Sequence, residues 1–153
     1  MLSLIFLCLN IYISKPNIIF FSGGSNLMPK YIYNDFLNKL TKNYNIYKLN
    51  ANLNYDYQIQ KIYKKNNNIL FLAHSSGCVT AINNNKKYIK KMILLDPVKT
   101  LSYNKNINLN NLNKLLIINA ELSYKWSNKF PFIPFIPAFS INKDELNIDN
   151  NKC

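Results

Sequence analysis

Short, almost wholly apolar runs recur along this chain, and most of them stop at a cluster of small, polar or proline residues. They are Ile18-Ile19-Phe20-Phe21 before Ser22-Gly23-Gly24-Ser25, Ile69-Leu70-Phe71-Leu72 before Ala73-His74-Ser75, Met92-Ile93-Leu94-Leu95 before Asp96-Pro97, and Leu115-Leu116-Ile117-Ile118. A strand apolar on both of its faces belongs in a parallel sheet covered on both sides. Asn45 to Leu49 suits a shorter strand. Between the runs, Tyr31 to Lys42 reads as a helix with Ile32, Phe36, Leu37 and Leu40 on one face, and Ile59, Ile62 and Tyr63 mark a weaker helix ending at Lys64-Lys65. Strand alternating with helix predicts an α/β fold, a doubly wound and mostly parallel sheet. The 153 residues fit a single domain spanning 1–153, since domains commonly run about 100 to 200 residues. From Lys129 onward, Phe-Pro-Phe-Ile-Pro-Phe-Ile-Pro is too rich in proline for a helix or a central strand, so 129–139 reads as an extended surface segment.

Charge narrows the partners. The formal charge is +12, which by itself suggests a polyanionic partner. All the basic residues are Lys, however, and Arg is the side chain favoured for bidentate reading of phosphate and guanine. The lysines are scattered among Asn, Ile and Tyr rather than gathered in a stripe, so no nucleic acid partner is expected. Cys8, Cys78 and Cys153 are an odd count without metal-ligand spacing, which points to a reducing, cytoplasmic setting and to no metal. The apolar stretch 2–13 is shorter than the roughly 18 residues a membrane span needs, and it has no basic lead-in. It reads as a buried strand; a secreted or membrane-associated protein is the alternative if it acts as a signal segment.

Three features fall where strands end, and in an open parallel sheet ligands bind beyond the carboxyl ends of the strands. The first is Ala73-His74-Ser75-Ser76-Gly77, which has the pattern of a nucleophile elbow: a strand, a tight turn lifting one hydroxyl, and small neighbours opening a helix. The second is the Gly23-Gly24-Ser25 loop. Backbone N–H groups there, at Gly24 and Ser25, would converge with the N–H of Ser76 as an oxyanion hole for acyl transfer. The third is Asp96. Its functional reading is the acid of a catalytic triad, with Glu121 the alternative acid; its plainer reading is a turn residue before Pro97.

These residues resemble a known group. Ala73-His74-Ser75-Ser76-Gly77 resembles the Gly-His-Ser-x-Gly of α/β-hydrolases, with Ala in place of the first Gly. Gly24-Ser25-Asn26-Leu27 followed by Tyr31 is similar to a loop of chlorophyllases and related lipase-like esterases. Leu94-Leu95-Asp96-Pro97-Val98 is similar to their Asp-Pro-Val, and the proline-rich stretch followed by Ile141-Asn142-Lys143 is similar to the segment before their catalytic Asn-His. The resemblance implies a minimal α/β-hydrolase fold without a cap domain, no cofactor, and a small-molecule carboxylic or lipid-like ester as substrate. It implies Ser75 as nucleophile and Asp96 as acid.

One departure matters. A serine hydroxyl attacks poorly unless a base takes its proton, and histidine ordinarily fills that role. The single histidine is His74, next to Ser75, where strand alternation turns it to the opposite face. Lys143 stands where the resemblance would place the base, and the chain reads as truncated or continued elsewhere. A Ser-Lys pair would require a desolvated, neutral lysine. Two readings of function follow: a serine ester hydrolase, or a degenerate relative that binds a ligand or partner without turnover. A weaker third is a membrane-surface protein using its lysine excess and Phe/Pro segment.

Overall fold

The computed structural model describes residues 14–24, 26–100 and 108–118. Five strands, β1 (Asn17–Phe21), β2 (Asn45–Lys48), β3 (Ile69–His74), β4 (Lys91–Leu95) and β5 (Lys114–Ile118), form one sheet in the order β2-β1-β3-β4-β5. Every pairing is parallel. The helices are α1 (Asn34–Leu40), entered through a 3-10 turn at Lys30–Tyr33, α2 (Tyr55–Lys65) and α3 (Gly77–Asn83). This is an α/β architecture. The stretch 2–13, the proline-rich 129–139, Glu121 and Lys143 lie outside the described residues.

Register explains how a core forms on both faces. Phe20 pairs with Leu72, Leu72 with Ile93 and Ile93 with Leu116, so a single apolar row crosses the sheet. Side chains alternate between faces along each strand. Ile19, Phe21, Phe71, Ala73, Met92 and Leu94 therefore face α2 and α3, where Ile59, Ile62, Cys78, Val79 and Ile82 close the larger core cluster. Ile18, Phe20 and Leu72 face the other way and are closed by Leu37 of α1. Burial of such side chains stabilises by roughly 1.5 to 3 kcal/mol each. The second face thins outward: Leu116 and Ile118 on the edge strand remain about half exposed.

The first helix departs from its expected face. Only Leu37 is fully buried, with Tyr33, Leu40 and Tyr44 packed beside it, whereas Ile32 and Phe36 are exposed. The 3-10 turn advances about 120° per residue instead of 100°, which rotates Ile32 off the core side. Tyr33 takes the inward place, where its hydroxyl meets the Gly23 N–H and His74 Nδ1. At α2, Asn54 caps the helix by accepting the Tyr57 N–H at 3.0 Å. Among the described residues no helix is long and apolar enough to cross a membrane.

Candidate active site

The strand order reverses between β1 and β3, since β2 lies on one side of that pair and β4 and β5 on the other. Such a switch point leaves a crevice at the carboxyl edge, where ligands of open parallel sheets bind. Register brings the expected residues to this edge. Phe21 pairs with Ala73 and His74 with Leu95, so Ser75 and Asp96 begin their loops at one level of the sheet and Ser22 begins its loop one residue earlier, beside His74.

Only Ser75 and Ser76 separate β3 from α3. Ser75 has φ of 54°, a left-handed conformation that costs a non-glycine residue about 1 kcal/mol or more. Three backbone hydrogen bonds hold it there: the Ser75 N–H donates to the Leu95 carbonyl at 2.9 Å, and the Ser75 carbonyl accepts from Cys78 at 3.0 Å and Val98 at 3.4 Å. Gly77 allows the next step. A Cβ on it would lie 2.2 Å from the Ser22 carbonyl oxygen and 2.7 Å from that of Phe21, so α3 leans directly on the end of β1 through a position with no side chain.

Asp96 also adopts a left-handed conformation, with φ of 48°, and its N–H donates to the Ile118 carbonyl at 2.6 Å. It is half-buried. Its negative charge reaches both His74 and Cys78, where it favours the protonated forms. Cys78 is a buried free thiol whose pKa is pushed far up by burial, so it stays protonated and inert.

The loop after β1 is pinned by Asn26, a residue the sequence motifs did not single out as functional. Its backbone has φ of 71°, and its side chain is fully buried. Asn26 Oδ1 accepts the Ser22 N–H at 3.1 Å, while Nδ2 donates to Tyr55 Oη at 3.0 Å and to the Leu49 carbonyl at 3.4 Å. Gly24, with φ of 60°, turns the chain beside it, a conformation glycine adopts without penalty. Gly24 and Ser76 thus stand at the ends of neighbouring strands; Ser25 lies outside the described residues. The signal for Asn26 was local: asparagine is enriched where a non-glycine residue must be left-handed.

His74 is engaged on the α1 side of the sheet. Its Nδ1 lies 3.0 Å from Tyr33 Oη, the two rings meet edge to face with centroids 5.5 Å apart, and Tyr33 Oη accepts the Gly23 N–H at 2.9 Å. The Gly23 N–H is therefore committed to tyrosine rather than to a ligand. Burial lowers the His74 pKa below its ordinary 6.5, with the Asp96 charge offsetting part of the effect. A folded pKa below the unfolded one means that the unfolded chain takes up the proton first as pH falls. Stability from neutral His74 is complete above 6.5 and declines as pH drops from there toward the lowered folded value. The midpoint of urea unfolding should therefore fall between about pH 7.5 and about pH 5. His74→Gln should flatten that decline; an unchanged slope would contradict a neutral, partly desolvated His74.

Among the described residues no group of three or more His, Cys, Asp or Glu side chains could hold a metal ion. Compared with protein-family models, with curated proteins and with solved structures, the chain matches none.

Proposed function

We propose that this protein is a serine hydrolase of α/β-hydrolase type, acting on carboxylic esters with Ser75 as nucleophile. The observation that carries this reading is the left-handed Ser75 in a two-residue turn between β3 and α3, at the switch point of the sheet. Strain of this kind persists where surrounding structure enforces it, and it clusters at functional sites. In the proposed reaction Ser75 Oγ bonds to the ester carbonyl carbon as the carbonyl opens to an oxyanion. The Ser76 N–H, with donors from the Gly24–Ser25 loop, would stabilise that charge. The alcohol leaves with the serine proton delivered through solvent, and water then cleaves the acyl–Oγ bond.

The second reading, a binder without turnover, is favoured by one specific observation. His74, the single histidine, is occupied by Tyr33, so within this chain Ser75 has no imidazole to take its proton. Turnover that requires the Ser75 hydroxyl separates the two readings. A fluorophosphonate probe should label wild-type protein at Ser75, and p-nitrophenyl acetate hydrolysis should fall to the buffer rate in Ser75→Ala. Folded protein that resists the probe and hydrolyses the ester no faster than Ser75→Ala would leave the binder as the correct reading. We place the protein in the reducing cytoplasm, in keeping with the odd cysteine count and the free thiol of Cys78.

A further inference from the structure

Apolar side chains crowd the surface just after the β1 loop. Leu27 and Tyr31 are each 70% exposed, Ile32 50% and Phe36 41%, with Met28 beside them. A lone exposed leucine or tyrosine is ordinary, but several gathered in one stretch mark an interaction surface. The core does not account for them. It draws on Tyr33, Leu37, Leu40 and Tyr44 from the same segment, which leaves Ile32 and Phe36, four residues apart, as a second apolar flank of the helix.

The exposed stretch reaches the candidate site at Met28. The Met28 N–H donates to the Gly23 carbonyl at 3.2 Å, and a Cβ on Gly24 would lie 3.3 Å from Met28 Cγ. Charge then selects the occupant. Lys30, Lys39 and Lys42 are exposed around the flank, against Asp35 as the one acid of residues 27–42. A second copy of this chain would bring its own +12 against these lysines. An anionic lipid surface offers apolar depth together with the opposite charge.

We propose that residues 27–42 dock the protein on anionic lipid bilayers. The docking is measured without turnover and does not depend on Ser75 being a nucleophile. In co-sedimentation, the protein should bind vesicles of phosphatidylcholine with about one third phosphatidylglycerol on the order of tenfold better than pure phosphatidylcholine. Tyr31→Ser/Ile32→Ser should weaken that binding by about tenfold, and Lys30→Gln/Lys39→Gln/Lys42→Gln should abolish the anionic preference. Both variants should unfold at the wild-type urea midpoint, because every substituted side chain is exposed. Fluorophosphonate labelling in the absence of lipid should not change. Wild type that ignores anionic vesicles, or variants that bind as wild type does, would overturn the proposal. So would a dimer in light scattering that Tyr31→Ser/Ile32→Ser dissociates. Vesicle binding without labelling would instead discard the hydrolase reading and leave the docking intact.

Discussion

Gly77→Ala is expected to destabilise the protein by about 3 kcal/mol or more, read as a lowered urea midpoint, and to abolish probe labelling at Ser75 in whatever protein still folds. The added Cβ would sit 2.2 Å from the Ser22 carbonyl oxygen, 2.7 Å from that of Phe21 and 2.8 Å from the Ser22 carbonyl carbon. All three are backbone atoms of β1 or its exit. Phe21 is buried in a parallel ladder with Ala73, so those atoms cannot swing aside as a side-chain end would. Relief therefore requires α3 to move off the sheet. That movement carries the Cys78 N–H away from the Ser75 carbonyl and loosens a conformation those bonds enforce. Gly24→Ala provides the contrast. Its left-handed φ of 60° and a 3.3 Å approach to flexible Met28 Cγ should cost only about 1 kcal/mol. A Gly77→Ala protein within about 0.5 kcal/mol of wild type would show that α3 does not lie against β1 in this way.

Asn26→Ala is the second large effect, at about 3 to 4 kcal/mol. Truncation leaves the buried Ser22 N–H without its acceptor and removes the donor shared by Tyr55 Oη and the Leu49 carbonyl. A buried polar group left unpaired costs about 1 to 3 kcal/mol, and the groups here belong to one network, so the losses do not simply add. Alanine also tolerates the left-handed region less well than asparagine does. Asn26→Asp keeps the Oδ acceptor for Ser22 and loses the amide donor, so it should fall between wild type and Asn26→Ala in urea unfolding. If Asn26→Ala unfolds at the wild-type midpoint, the loop after β1 is not held by this side chain.

The two positions differ in how readable they were. Gly77 follows from the small-residue pattern of a nucleophile elbow, although the atoms that forbid a side chain belong to β1, far away in sequence. Asn26 sits among many asparagines in an Asn-rich chain, and composition hides its role. The first helix departs from its helical spacing for a related reason. Helical spacing alone groups Ile32 with Phe36, Leu37 and Leu40, but the 3-10 turn and the partners of Tyr33 Oη turn Ile32 to solvent and Tyr33 inward. Those partners, Gly23 and His74, come from two other elements, and no window of sequence around Tyr33 contains them both.

Among the described residues, the sequence by itself determined where the five strands lie and that helices run between them, because burial on one or two faces leaves its pattern in neighbouring residues. It also determined that Ser75 and Asp96 follow strands directly, which in a parallel sheet places them at one edge. Tertiary structure alone decided the order β2-β1-β3-β4-β5, the register that levels Ser75 with Asp96, and the meeting of Asn26 with Leu49 and Tyr55. Parallel neighbours are joined through long crossovers, and their backbone hydrogen bonds are the same whatever the side chains. Strand order is therefore set by how whole apolar faces fit together, and the strain at Ser75 is maintained by bonds from Leu95, Cys78 and Val98 that exist only once the faces have met.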